Sequence, residues 1–409
     1  MKRVANGARD QAVLRGPRRL VAIVALVSLV DFVFGATYIF QMLAAGVDAS
    51  LVGVLVAGAG VVSMVFEAPS GALGDRFGHR AMMIAGLITW GAGQALFGFA
   101  TGAGVFGVAL VLWGVGMSLY SGAPSSLVVN ELSRAGRMDL MPRTVRRAQS
   151  ARWIASAVGA AAVLLLESAI EPAMLITSSG LILIVSALWV YLRWPASTTG
   201  QTDESVAAHL LAGAKVAWTR ARGPIAAGVA IGLLQAILLL SWQPLVTEAL
   251  DWPETVLGGV LLVLTIAAAL GSFAADRLDT LRPRTANLLC VSLLGIALVG
   301  TLWSSGGVIA GLLVAEFALG AAMAVNAVWS HAVFPDHLRN TLGSLSSTVA
   351  GLGMAVVQVI FGLAWDRWGI VTSTGIGAAI VLVVVLGFWP FMMRASATRA
   401  PEVTSGAAP

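Results

Sequence analysis

Residues 71–80 read Gly-Ala-Leu-Gly-Asp-Arg-Phe-Gly-His-Arg, and long apolar runs precede and follow them. The stretch combines glycines with one acid and several basic residues, a composition typical of a turn. Because apolar runs flank it on both sides, the turn should lie just outside a membrane. The stretch therefore predicts a short polar loop that joins two membrane-spanning helices.

The composition supports a membrane protein throughout. Apolar residues make up 58% of the 409-residue chain and charged residues only 11%, with a mean hydropathy of +0.88. Soluble domains carry about 25% charged residues, so a soluble core would not accommodate this chain. One span requires roughly 20 apolar residues, which leaves room for about twelve spans with short loops. Cys290 is the only cysteine, which excludes an intrachain disulfide.

The apolar runs predict an all-α membrane protein with twelve transmembrane helices in two groups of six. In chain order, spans 1 to 12 are predicted at 19–46, 50–74, 81–100, 104–129, 147–169, 172–194, 224–248, 255–275, 283–303, 306–334, 340–364 and 370–393. The polar stretch 195–223 predicts a cytoplasmic linker between an N-terminal half (19–194) and a C-terminal half (224–393). A basic segment (1–18) precedes span 1, and the tail 394–409 is expected to be disordered.

Basic residues are concentrated on one side of the predicted spans. They precede span 1 and fill loops 2–3, 4–5 and 8–9 and the central linker, so that among Lys and Arg only Arg367 falls on the other side. Cytoplasmic loops of membrane proteins carry an excess of Lys and Arg. The pattern predicts a multi-pass protein of the inner (plasma) membrane with both termini in the cytoplasm. The same distribution accounts for the pI near 10.1, because the basic residues lie on the cytoplasmic side and contact membrane lipid there. Nucleic acid is therefore not an expected partner.

The stretch 71–80 resembles the signature loop of the major facilitator superfamily, which reads Gly-x-Leu-x-Asp-Arg-x-Gly followed by two basic residues. The matching residues are Gly71, Leu73, Asp75, Arg76, Gly78 and Arg80, with His79 in the first basic position. The resemblance implies two pseudo-symmetric six-helix halves, with spans 1, 4, 7 and 10 around a central cavity. A degenerate copy, Asp276-Arg277, follows span 8, as two related halves would give.

The resemblance also implies a gating role for this loop. In the superfamily its acid caps the start of span 11 in the other half, where free amides and the helix dipole stabilise an anion. Arg76 and Arg80 are expected to pair with nearby carboxylates, and Asp276 to act in the mirrored way at the start of span 5. Such contacts would latch the state that is open to the outside. The alternative is that the loop only sets a tight turn.

Acids inside predicted spans are functional candidates, because ionisable groups are costly in a membrane. Asp31 lies near the middle of span 1 and Glu316 near the middle of span 10, and neither has a Lys, Arg or His nearby in its own span. Burial favours the neutral form of a carboxyl group, which suits proton coupling or the binding of a cation. Glu67, at the end of span 2, is a third candidate. The alternative for Asp31 and Glu316 is that they only hold helices together, and for Glu67 it is an ion pair with a basic residue of loop 4–5.

Further polar side chains on spans 1, 4, 7 and 10 are candidates for lining a cavity. They are Tyr38, Gln41, Tyr120, Gln235, Gln243, Asn326 and Trp329. Aromatic and amide groups together suit an amphipathic organic molecule. Tyr and Trp near span ends also serve as interface anchors, and among these residues Gln235 is placed deep enough to favour a site role.

Together these features predict a secondary transporter that works by alternating access, a proton-coupled exporter of a small amphipathic or hydrophobic compound. The resemblance points to bacterial drug and metabolite exporters, although span 4 lacks a basic residue and span 5 lacks a Gly-Pro signature. The alternatives are an importer or facilitator of a polar metabolite, such as a sugar or organic ion, and a non-transporting membrane sensor. The expected partners are the substrate, protons and membrane lipid, and the expected state is a monomer. No enzymatic activity, cofactor or metal is expected.

Overall fold

The computed structural model describes residues 14–166, 168–194, 221–278, 280–334 and 339–393, which are helical apart from short turns. Twelve helices in these ranges are long and apolar enough to cross a membrane, which confirms the predicted fold class. The spans are Arg15–Ala44, Ala49–Glu67, His79–Gly98, Ala103–Arg134, Met138–Leu166, Pro172–Arg193, Arg222–Ala249, Glu254–Leu278, Pro283–Leu302, Ser305–Ser330, Leu345–Trp368 and Ile370–Phe391. The linker up to residue 220 and the tail from 394 lie outside the described residues.

Successive spans run in opposite directions, so their ends form two faces. The basic face contains the start of span 1 and the turns after spans 2, 4 and 8. The acidic face contains the turns after spans 1, 5, 7 and 11. It carries the acids Asp48, Glu171, Asp251, Glu254 and Asp366.

Three of the spans predicted to line a cavity are interrupted. Span 1 consists of Arg15–Gly35 and Tyr38–Ala44, span 4 of Ala103–Ser121 and Ala123–Arg134, and span 7 of Arg222–Pro244 and the π-helical turn Leu245–Ala249. Pro124 and Pro244 lack a backbone donor, which explains the changes in spans 4 and 7. The break in span 1 contains no proline, and it leaves backbone groups that need partners elsewhere.

The signature stretch is mostly helix. The helix of span 2 continues beyond the membrane-spanning part, from Ala49 to Phe77. Only Gly78, with a φ of 92°, separates it from span 3. The predicted gap between span 2, ending at residue 74, and span 3, starting at residue 81, is therefore too long, because the helices reach Phe77 and begin again at His79. Within this stretch only Gly78 has a positive φ, a backbone conformation that glycine adopts at no steric cost.

Glycines permit close helix crossings within each half. A Cβ atom at Gly91 of span 3 would overlap the backbone of Gly180 in span 6, and one at Gly271 of span 8 would overlap Phe317 in span 10. Small residues of this kind let membrane helices approach until their backbones touch. Each half is therefore a tightly packed unit.

The halves pack against each other through spans 2 and 11, spans 5 and 8, and the second segment of span 1 with span 7. A Cβ atom at Gly362 of span 11 would lie 2.8 Å from the carbonyl oxygen of Ala49 and 3.1 Å from the Cα of Gly53, both in span 2. Gly258 of span 8 likewise packs on the backbone of Leu164 in span 5. These crossings lie toward the acidic face, which is therefore closed.

Candidate functional site

Asp31 lies inside the N-terminal half, in the first segment of span 1, and is partly exposed. Trp113 of span 4 approaches the Asp31 carboxyl group closely enough to interact with it. The Trp113 indole nitrogen meets no partner in full hydrogen-bond geometry within the described ranges. Tyr38, from the second segment of span 1, is also within electrostatic range of Asp31. The predicted acid therefore stands beside two aromatic side chains that have polar edges.

Asp31 also has a cationic neighbour from another helix. Arg152 of span 5 is close enough to interact electrostatically with Asp31 and with Tyr120. Arg152 lies two turns before Gly159 on the same helix face, and Gly159 packs against the backbone of Leu29 in span 1. Sequence reasoning missed this neighbour, because it searched for partners of Asp31 only within span 1.

The two tyrosines predicted to line a cavity are largely buried. Tyr38 is 7% exposed and stacks on Phe34 with 5.2 Å between ring centroids. Tyr120 is 9% exposed and meets Trp90 edge-on at 5.8 Å. The Tyr120 hydroxyl has no hydrogen-bond partner in the described part of the chain. Buried polar atoms normally have partners, so the hydrogen-bonding capacity of the Tyr120 hydroxyl is unused in this state.

Glu316 is the corresponding acid of the C-terminal half. It lies in span 10 and is partly exposed, and within the described residues its carboxyl group has no hydrogen bond or ion pair. A structural ion pair therefore does not explain this acid. An acid without a partner inside a membrane helix is costly, which favours a role in binding a proton or a cation.

The remaining candidates of the C-terminal half lie nearer the helix contacts. Gln235 of span 7 is partly exposed and Trp329 of span 10 is 7% exposed. Asn326 of span 10 and Ser346 of span 11 both lie close to Gly228 of span 7, because side-chain atoms of both residues would contact a Cβ atom at Gly228. The Asn326 side-chain oxygen is buried and lacks a partner in the ranges described. This amide therefore retains an acceptor for a ligand.

Gln243 joins the two halves at the acidic face and is fully buried there. Its side-chain nitrogen donates to the Gly35 carbonyl oxygen at 2.9 Å, and its side-chain oxygen accepts the Phe40 N–H at 2.9 Å. Gly35 and Phe40 flank the break in span 1. One carboxamide from the C-terminal half therefore satisfies two backbone groups that the break would leave unpaired. We call this contact the Gln243 clasp.

Gln243→Met keeps the length of the side chain and removes both hydrogen bonds of the clasp. We expect the acidic-face-closed state to lose about tenfold in population relative to the open state, since each bond contributes about 0.5–1.5 kcal/mol net. Thr101, in the turn after span 3, and Ser305, at the start of span 10, are exposed at the acidic face of opposite halves. Spin labels on Thr101→Cys and Ser305→Cys, in a Cys290→Ala background, therefore report the separation of the halves at this face. A distance distribution equal to that of the unmutated protein would contradict the clasp.

Gln41→Met is the matched control for this prediction. The Gln41 side chain donates to the carbonyl oxygens of Phe97 at 3.4 Å and Gly98 at 3.2 Å, so its bonds stay within the N-terminal half. Its loss should leave the distance between the labels unchanged.

The arginines of the signature stretch contact aromatic rings. Arg80 donates to the backbone carbonyl of Tyr191 in span 6 and lies 4.9 Å from the centroid of the Tyr191 ring. Arg76 lies 5.2 Å from the Phe77 ring centroid. The partner found for Arg80 is thus a carbonyl of its own half and not the expected carboxylate. The side chains of Asp75 and of the start of span 11 lie outside those described, so the latch stays a prediction.

The other charged candidates lie near the basic face and are exposed. Glu67 belongs to the helical part of span 2, and Asp276 and Arg277 belong to a 3₁₀ turn after span 8. The apolar side chains of Val65 and Phe66 are 58% and 40% exposed. This end of span 2 is therefore uncovered while its other end is packed on span 11. In the described ranges, no group of three or more His, Cys, Asp or Glu is arranged to hold a metal ion.

Two six-span halves, closed at one face and carrying acids within the spans, define the class of multi-pass membrane transporters. The chain belongs to the major facilitator superfamily, whose family model matches residues 20–358. No curated protein gives a significant sequence match.

Solved structures of transporters share this fold. The nucleoside transporter NupG is 14% identical with a TM-score of 0.74, over 93% of this chain and 99% of that one. A D-xylose–proton symporter is 15% identical with a TM-score of 0.69, over 92% and 97%. A POT family transporter in complex with 5-aminolevulinic acid is 11% identical with a TM-score of 0.70, over 93% and 97%. These similarities establish the fold. At such low sequence identity they do not indicate which cargo this protein carries.

Proposed function

We propose that this protein is a secondary transporter that works by alternating access and exports a small amphipathic or hydrophobic compound in exchange for protons. The observation that carries the proposal is the placement of Asp31 within electrostatic range of Arg152 inside the N-terminal half. Acids at membrane depth with a cationic neighbour are characteristic of proton and ion pathways. Glu316 provides a second acid in the other half.

Coupling in this proposal is competition for the Asp31 carboxylate. The ionised carboxylate attracts Arg152 and any cationic group of the cargo. A proton neutralises Asp31, weakens both attractions and leaves Arg152 near the Tyr120 hydroxyl. Because proton and cargo then bind in turn, each drives the release of the other.

The described state fits the loading step of an exporter. We place the basic face in the cytoplasm and the acidic face outside the inner membrane, following the distribution of Lys and Arg. The Gln243 clasp and the crossing of Gly53 with Gly362 then close the outer side. The exposed end of span 2 near Glu67 lies on the cytoplasmic side, from which an exporter takes its cargo.

The aromatic and amide side chains of the candidate site support an amphipathic cargo. In the N-terminal half the ring of Trp113 is partly exposed, and the largely buried rings of Tyr38 and Tyr120 each carry a single polar atom. The C-terminal half adds the amides of Gln235 and Asn326. Ring surfaces with few hydrogen-bonding groups suit a molecule that is mostly apolar. The proposal takes the monomer as the transporting unit.

Import or facilitated passage of a polar metabolite is the second candidate. It is favoured by the fact that proteins with the same fold include a nucleoside transporter and a D-xylose–proton symporter. The buried amide oxygens of Gln41 and Asn326, which lack partners among the described residues, are acceptors that a polar cargo would use.

Inverted membrane vesicles distinguish these functions. An acidic vesicle interior should drive uptake of lipophilic cations from a panel that also contains neutral amphipathic compounds, a sugar and a nucleoside. Uptake that persists unchanged after an uncoupler collapses the gradient would contradict proton coupling. Gradient-dependent movement of the sugar or nucleoside alone would replace export of apolar compounds with the second candidate.

A further inference from the structure

A further copy of the core of the signature sequence, besides the degenerate one after span 8, lies at the opposite face. Asp75-Arg76-Phe77-Gly78 ends span 2 at the basic face, and Asp366-Arg367-Trp368-Gly369 ends span 11 at the acidic face. In both copies a glycine with positive φ follows the last helical residue, 92° at Gly78 and 76° at Gly369. Comparison of the two halves does not reveal this copy, because span 11 corresponds to span 5 and not to span 2.

The acidic-face copy forms a cap between the halves. The Asp366 carboxylate accepts the backbone N–H of Ser50 at 3.0 Å, and Ser50 is the second residue of the span 2 helix. The first amides of a helix lack intrahelical partners and favour a negative charge. Asp48 occupies the cap position of this helix, yet its side chain makes no capping bond. The acid that caps span 2 thus comes from the other half.

Spans 2 and 11 form an antiparallel pair with related ends. They cross at Gly53 and Gly362, so the end of span 11 lies beside the start of span 2 at the acidic face. The same Asp-Arg-aromatic-Gly sequence therefore occurs at both faces of a single helix pair. Trp365 adds a further contact at the acidic face, where its indole nitrogen donates to the Glu248 carboxylate of span 7 at 3.3 Å.

We propose that Asp366 is a latch of the acidic face that operates in alternation with Asp75 at the basic face. This inference rests on the alternating-access cycle proposed above. While the acidic face is closed, Asp366 caps span 2. Opening of that face withdraws the carboxylate from Ser50, while closure of the basic face brings Asp75 to the start of span 11. Each state keeps one cap and loses the other.

Asp366→Asn tests the latch without knowledge of the cargo. The change removes the charge and keeps the shape of the side chain. The labels on Thr101→Cys and Ser305→Cys, in the Cys290→Ala background, should show the acidic-face-open population rising about two- to fivefold, the size of an exposed helix-capping charge. Asp75→Asn should shift the same distance distribution in the opposite direction.

Asp48→Asn is the control, because it removes an equal charge from the same face without removing a cap. An unchanged distribution in Asp366→Asn, or an equal shift in Asp48→Asn, would overturn the latch. The two proposals fail separately. A shift in Asp366→Asn together with flux that ignores the pH gradient keeps the latch and rejects proton coupling. Gradient-driven flux with an unshifted distribution rejects the latch alone.

Discussion

Asp31→Asn is expected to abolish transport driven by the pH gradient while leaving the protein folded. The amide keeps the shape of the carboxyl group, but it neither binds the proton nor attracts Arg152. Coupling between two ligand sites typically amounts to about 5- to 150-fold. The ratio of flux with a gradient to flux without one should therefore fall by about that factor, to near one. The measurement uses inverted vesicles and the cargo that the unmutated protein moves.

Asp31→Glu is the matched variant for this prediction, because it retains a titratable group and should retain dependence on the gradient. Asp48→Asn removes an acid at the acidic face and should leave coupling intact. Equal gradient dependence in Asp31→Asn and the unmutated protein would remove Asp31 from the mechanism. Glu316→Gln would then test the acid of the other half by the same ratio.

The twelve spans follow from the sequence because membrane insertion imposes a local requirement. Each span must be apolar along its length, whatever it packs against. Span boundaries follow less well, because a helix continues after its apolar run ends. Span 2 reaches Phe77 through polar residues, and the helix of span 5 already begins at Met141. Hydropathy detects burial in lipid, whereas helix ends depend on backbone hydrogen bonds.

The candidate site shows the same division between local and non-local information. An acid in an apolar run is visible in the sequence, so Asp31 and Glu316 are found without a structure. Arg152 becomes a neighbour of Asp31 only through the packing of span 5 on span 1, since Gly159 lets these helices touch. Gln243 gains its partners from the break in span 1. No proline marks that break, so a pattern search sees only a polar residue near a span end.

Gly362→Leu is expected to prevent closure of the acidic face. The new Cβ would meet the Ala49 carbonyl oxygen at 2.8 Å and the Gly53 Cα at 3.1 Å, and backbone atoms cannot be relieved by rotating a side chain. Overpacking of a close contact costs about 1–3 kcal/mol, or about 5- to 150-fold in the equilibrium between closed and open states. The Thr101–Ser305 label distance should lengthen, and net transport should fall by about the same factor because the closed state is populated less often.

Gly387→Leu is the control, since Gly387 lies inside the helix of span 12 and a Cβ there meets nothing within 4 Å. The clash at Gly362 involves only the other half, so each half should stay folded and the thermal stability of both variants should be similar. If both variants unfold alike, loss of glycine in a helix explains the result and the crossing does not. If only Gly362→Leu lengthens the distance, the backbone contact of spans 2 and 11 limits closure. A residue with a side chain at that crossing would then hold the acidic face open even with Asp366 and Gln243 unchanged.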